Sequence, residues 1–171
     1  MSVTVTEGAK AEPRGLEDLY VRHAPAAVRL AYLITGDADL AKDLAQEAFV
    51  RVAGRFRHLR FPDAFDAYLR RTIVNLCTSH FRHARVERVY RERHAERQEP
   101  TEQGPDAGDR DELRRALRRL PAKQRAAIVL RYYEDLPEQR VADAMRCSVP
   151  AARSLISRGM QTLRTIVEAE R

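Results

Sequence analysis

Residues 98–112, QEPTEQGPDAGDRDE, set proline, glycine and acid side by side with no apolar repeat. A hydrophobic core cannot be threaded through such a stretch, which reads as a flexible linker. It leaves about 80 residues before it and about 60 after it, each enough for one small domain with a modest core. The chain of 171 residues therefore predicts two small domains rather than one large one.

Both blocks read as helix, and no alternating β-branched run suggests a strand. The expected fold class is all-α. In the first block Leu16, Leu19, Tyr20, Val28, Ala31, Leu33 and Ile34 recur at helical spacing, with a bend expected at Pro25. Gly36 is the expected stop, and Asp37 or Asp39 the cap of the next helix. There Leu40, Leu44, Ala48, Phe49, Val52 and Phe56 make one apolar stripe. Pro62 suits the first turn of a third helix, whose stripe runs from Phe65 to Leu76 before a dense basic and aromatic stretch.

The second block predicts four shorter helices. Leu113, Ala116, Leu117 and Leu120 form the first, and residues 122–133 the second, after Pro121. Leu136-Pro137 opens a short helix holding Val141, Ala142 and Met145. A tight break at Arg146-Cys147-Ser148 follows, then a last helix over about 149–168. Short helix, tight turn and longer helix make a helix-turn-helix. On the last helix Ala152, Leu155, Gly159, Leu163 and Ile166 face inward. Arg153, Ser154, Ser157, Arg158, Gln161 and Arg164 fall on the opposite face, with no acid before Glu168. Such side chains reach phosphates or base edges in a major groove.

Charge is distributed as unevenly as the apolar residues. The net +6 resolves into −3 over 1–50, +7 over 51–93, −5 over 94–112, +8 over 113–165 and −1 over the last six residues. Two basic blocks about an acidic connector are the footprint of a polyanion-binding protein. No apolar run approaches the roughly 20 residues of a membrane span, and the first 14 residues lack the apolar core of a secretory signal. Cys77 and Cys147 match no metal spacing and are expected as reduced thiols. His80 and His83 lack a third ligand. There is no Gly-rich phosphate loop and no constellation of acid, base and nucleophile, so no catalytic residue, cofactor or metal is expected.

Three stretches in order, LAYLITGDADLAKDLAQEAFVRV (30–52), FDAYLRRTIVNLCTSHFR (65–82) and ALRRLPAKQRAAIVLRYYEDL (116–136), resemble the extracytoplasmic-function (ECF, group 4) sigma factors of bacterial RNA polymerase, in the sigma-70 family. The resemblance implies a disordered head (1–14), a region 2-like helical bundle (15–93), the acidic linker (94–111) and a region 4-like helix-turn-helix domain (112–171). It implies docking on core polymerase, at the β′ clamp helices through Asp43, Gln46, Glu47 and Phe49, and at the β flap. It assigns recognition and melting of the promoter −10 element to the third helix and the loop after it, with Arg70, Arg71, Asn75, Phe81, Arg82, Arg85 and Arg88. Tyr68 belongs instead with core packing. Arg153, Ser154, Ser157, Arg158, Gln161 and Arg164 would read the −35 element.

An anti-sigma factor that clamps the two domains is a further implied partner, and the bacterial cytoplasm the implied location. The chain departs from the usual pattern at Pro150-Ala151-Ala152-Arg153-Ser154-Leu155, where Gly-Thr-Val-Lys-Ser-Arg is common, and at Arg140-Val141-Ala142, where Glu-Ile-Ala is usual. Tyr68 stands where Trp is frequent and Ser79 where an acid is. The alternative reading is a free-standing helix-turn-helix regulator, which explains 113–168 but leaves 30–52 and 82–93 without a purpose.

Overall fold

The computed structural model describes residues 15–56, 62–94 and 109–169. Three helices come from the first block: α1 (Leu16–Thr35), α2 (Ala38–Phe56) and α3 (Pro62–His94). The second supplies α4 (Asp109–Arg119), α5 (Ala122–Ile128) continued by a π-helical turn over Val129–Tyr133, then α6 (Glu138–Met145) and α7 (Val149–Ala169). No strand occurs among the described residues. The heart of the linker lies outside them, but Asp109–Glu112, read as its end, open α4.

The corner between α1 and α2 shows why the chain turns where it does. Gly36 takes the left-handed conformation at φ 75° and donates its N–H to the Tyr32 carbonyl at 2.7 Å, closing α1. Asp37 Oδ1 then accepts the N–H groups of Asp39 and Leu40, both at 3.0 Å, so Asp37 caps α2. These two residues reverse the chain and lay α2 along α1. Phe65 of α3 is fully buried between them, its ring centroid 5.3 Å from that of His23 on α1 and 6.1 Å from that of Phe49 on α2. The helix α1 runs through Pro25 as one element, as expected.

Another expectation changes at α3. Its apolar stripe ends near Cys77, yet the helix continues to His94, so the basic stretch after it is helical rather than a loop. From Arg82 to Tyr90 every residue is exposed, and no glycine or proline stands there to end the helix.

In the second half Arg146 adopts φ 52° and closes α6, and Ser148 Oγ accepts the Ala151 N–H at 3.3 Å at the start of α7. The inward face of α7 is Ala152, Ile156, Gly159 and Ile166, while Leu155 is half-buried. Gly159 lets α7 lie against α5: a Cβ there would come 2.9 Å from Ile128 Cγ1 and 3.3 Å from the Gln124 carbonyl oxygen. The halves are docked on one another. The helix α3 packs along α6 and α5, α1 touches α4 and α5, and one apolar core runs through both.

Two substitutions measure these joints by urea or thermal unfolding. Asp37→Ala is expected to cost about 1 kcal/mol by removing the cap. Gly159→Ala is expected to cost about 1–3 kcal/mol by forcing α7 from α5.

Candidate nucleic-acid and polymerase interfaces

On α2 the period of 3.6 divides the candidate docking residues. Asp43, Gln46 and Glu47 are exposed side by side, Glu47 paired with Arg51 one turn on. Phe49 does not join them. It is 5% exposed and packs edge-on to Tyr20, with ring centroids 4.9 Å apart, and near Phe65 at 6.1 Å. Its part is to hold α2 in place from beneath. Val50 is the apolar side chain that continues the exposed face, at 68% exposure; its i+3 spacing from Glu47 was visible in the sequence, but the stripe drew attention to Phe49 instead.

The candidates on α3 fall into two groups along the helix. Arg82 and Arg85 are exposed on the distal half, as is Arg88. Nearer the core, Arg70, Arg71, Asn75 and Phe81 are half-buried. Arg70 Nη2 binds Asp66 Oδ2 at 2.7 Å on its own helix, and its Nε donates to Glu134 Oε2 at 3.3 Å in the second half. Tyr68 packs on the core, and its hydroxyl meets Arg55.

The outward face of α7 keeps Ser157, Arg158, Gln161 and Arg164 exposed, with Ser154 half-buried. Arg153 is exposed but engaged: Nε and Nη2 both donate to Glu138 Oε2, at 2.9 and 2.8 Å. The sequence shows no acid on this helix face, because the acid comes from α6. That hydrogen bond holds the Glu138 carboxyl below its ordinary range and raises the Arg153 guanidinium above its own. The favourable part of the contact is therefore present above the ordinary carboxylate range and fades as the pH falls through it.

Arg125, absent from every sequence-based assignment, is the most buried charge among the described residues, at 6% exposure. Its Nη1 donates to the Ile34 carbonyl at 2.6 Å; Nη2 donates to those of Arg118 and Leu120 at 2.7 and 3.0 Å. The guanidinium also lies over the Phe81 ring, 5.2 Å from its centroid. Burial, helped by repulsion from Arg118, draws its pKa down to about 10, so the cation survives at neutral pH. The signal was a lone cation set beside Ala126, Ala127 and Ile128, all buried. No group of three His, Cys, Asp or Glu among the described residues is arranged to hold a metal ion, and no helix among them is long and apolar enough to cross a membrane.

The Sigma-70 region 2 family matches residues 19–87 and the Sigma-70 region 4 family residues 110–163. The RNA polymerase sigma-E factor of Streptomyces avermitilis is 34% identical over 160 residues, spanning 88% of this chain and 84% of that one. This chain belongs to the sigma-70 family of RNA polymerase sigma factors. The ECF RNA polymerase sigma factor SigE of Mycolicibacterium smegmatis is 32% identical over 92% of this chain and 63% of its own. The fold is shared with the sigma factor RpoE of Bartonella quintana, solved with the anti-sigma factor NepR: TM-score 0.70, 21% identity, 91% of this chain and 98% of that one. It is shared too with CnrH, solved with the cytosolic domain of CnrY, at TM-score 0.65 and 21% identity over 94% and 92% of the chains. The sigma-70 family comprises transcription initiation factors rather than enzymes. The region 2 match takes in α1, α2 and most of α3, and the region 4 match α4 to most of α7.

The two thiols differ sharply. Cys77 is fully buried and its pKa is pushed up to about 12 by desolvation, whereas Cys147 is half-exposed between α6 and α7. Iodoacetamide at pH 8 is expected to add one group to the native chain, on Cys147, and a second only after denaturation, as peptide mass spectrometry will read.

Proposed function

We propose that this chain is an ECF (group 4) sigma factor that docks on core RNA polymerase through the α2 face of Asp43, Gln46, Glu47 and Val50. In this reading α3 recognises and opens the −10 element, and α7 reads the −35 element. The observation that carries it is the order of parts: a region 2 match and a region 4 match in sequence, each presenting an arginine-rich helix face. Domains of 15–93 and 112–171, with 94–111 between them, are the division this function needs.

The chemistry suits the roles. Opening a duplex costs a few kcal/mol per extruded base. Asn75 offers an amide to a base edge, Phe81 a ring face, and Arg70, Arg71, Arg82, Arg85 and Arg88 offer charge to the separated backbone. On α7, Arg158 and Arg164 carry the fork that suits guanine, with Gln161 between them. The sigma factor RpoE of Bartonella quintana was solved with the anti-sigma factor NepR, and a protein of that class is the regulatory partner proposed for this chain.

Adding the chain to bacterial core polymerase on a genomic DNA library is expected to yield defined start sites sharing a two-part upstream sequence. Footprinting by the chain alone, without promoter-directed transcripts, would favour the free-standing regulator. On a promoter so found, Arg158→Ala is expected to cost about 1–3 kcal/mol and relax the −35 preference at one position. Arg85→Ala is expected to weaken binding evenly and lower the salt slope by about one.

A further inference from the structure

A cleft of about 870 Å³ lies between α3 and α6, large enough for a ligand of nucleotide size. Four arginines line it against one acid, Asp143: Arg70 and Arg71 come from α3, Arg140 from α6 and Arg146 from the residue that closes α6. Small side chains on both walls, Ala64 and Ala67 on α3 and Ala142 and Ala144 on α6, leave the space unfilled. Ser148, at the start of α7, lines it too, so the positive end of that helix dipole adds to the cationic character.

The four arginines differ in how their charge is met. Arg70 has Asp66 at 2.7 Å and Glu134 at 3.3 Å. Arg71, Arg140 and Arg146 form no ion pair with any of the described residues. Arg71 Nε is also shut from solvent without a hydrogen-bond partner among them, a state that folded proteins seldom leave in a buried donor. A small turn of this side chain toward an anion in the cleft gains a bond and breaks none. Guanidinium groups bind phosphate oxygens through pairs of parallel N–H donors, and cations drawn from two walls suit a chain of phosphates, each wall taking its own. Arg140 decides the sign of the α6 wall. With Arg146 and Asp143 it gives +1, and a glutamate in its place would give −1.

We propose that this cleft binds an oligophosphate, either free polyphosphate or the phosphate chain of a nucleotide, through Arg71, Arg140 and Arg146. Two of these three residues have no part in the promoter faces described above, and the site does not rest on the assignment of α3 to the −10 element. It gives the chain a small-molecule ligand in addition to its macromolecular partners.

The test titrates inorganic tripolyphosphate, and separately ATP, into the full-length chain by isothermal titration calorimetry without divalent cations. Wild type is compared with Arg140→Glu and with Arg115→Glu, which makes the same change of charge at an exposed site on α4. The wild type is expected to bind one tripolyphosphate per chain. Arg140→Glu is expected to weaken that binding at least about tenfold, and Arg115→Glu by less than about twofold, its charge being screened. ATP binding as tightly as tripolyphosphate assigns the site to the phosphate chain alone, and tighter binding adds the base to what the cleft recognises. Cys147 lines the same cleft and reports its occupancy. Tripolyphosphate is expected to slow alkylation of this thiol by iodoacetamide in the wild type and not in Arg140→Glu.

Absence of saturable binding by the wild type would overturn the site, as would equal losses in Arg140→Glu and Arg115→Glu, which would mean diffuse attraction to a basic surface. Binding that leaves Cys147 unprotected would place the anion elsewhere and overturn it too. If neither phosphate compound binds while Arg140→Glu weakens binding to duplex DNA, the cleft arginines belong to the DNA interface and the proposal falls.

Discussion

A buried guanidinium with no carboxylate beside it organises this molecule. Arg125 places its donors on carbonyls in the last turn of α1 and at the end of α4, where backbone oxygens lack partners within their own helices. The ends of helices carry partial negative charge, so two helix termini supply what an acid would otherwise have to supply. The arrangement fixes where α5 begins, which way α4 leaves it, and how both sit against α1. Phe81 completes the enclosure from α3, so one side chain of the second half touches two helices of the first. Arg118 packs over Gly36 at the same corner, its Cδ 2.9 Å from where a β-carbon would stand. The glycine is required by its left-handed backbone.

The helix α3 serves two masters along one axis. Its proximal turns are bound by the demands of a core, with Phe65, Leu69, Ile73 and Cys77 buried. Its distal turns carry arginines into solvent, and their stability comes from continuity with the anchored part. Between these regimes lie Arg70, Arg71, Asn75 and Phe81, half-buried, where the core gives way to the surface.

Much of this was legible from residue order. The stop at Gly36, the cap at Asp37, the break at Arg146-Cys147-Ser148 and the inward Ala152 and Gly159 follow from local chemistry, and local chemistry is written in adjacent residues. Phe49 was misplaced because a large aromatic on an acidic helix suits both a core and a contact, and only the packing of Tyr20 and Phe65 decides between them. The end of α3 was misplaced because a cationic run offers no periodicity to read, although arginine and glutamate are good helix formers. The ties of Arg125 to Ile34, of Arg153 to Glu138 and of Arg70 to Glu134 were beyond reach. Each joins residues far apart in sequence, and a linker of proline, glycine and acid says nothing about how the domains it joins will meet.

The π-helical turn at Val129–Tyr133 gives the molecule an unusual sensitivity to length. Glu134 donates its N–H to the Val129 carbonyl five residues back, at 3.0 Å, instead of four. The additional residue rotates everything after it by about 100° relative to an uninterrupted α-helix. Tyr132 and Tyr133 stand in solvent, and Glu134 comes round to meet α3. Loss of one residue here would change the azimuth at which Glu134 leaves the turn, swinging the carboxylate away from Arg70. In this fold a gap of one position in that turn is thus a change of interdomain wiring, achieved without altering any residue of α3 or α7.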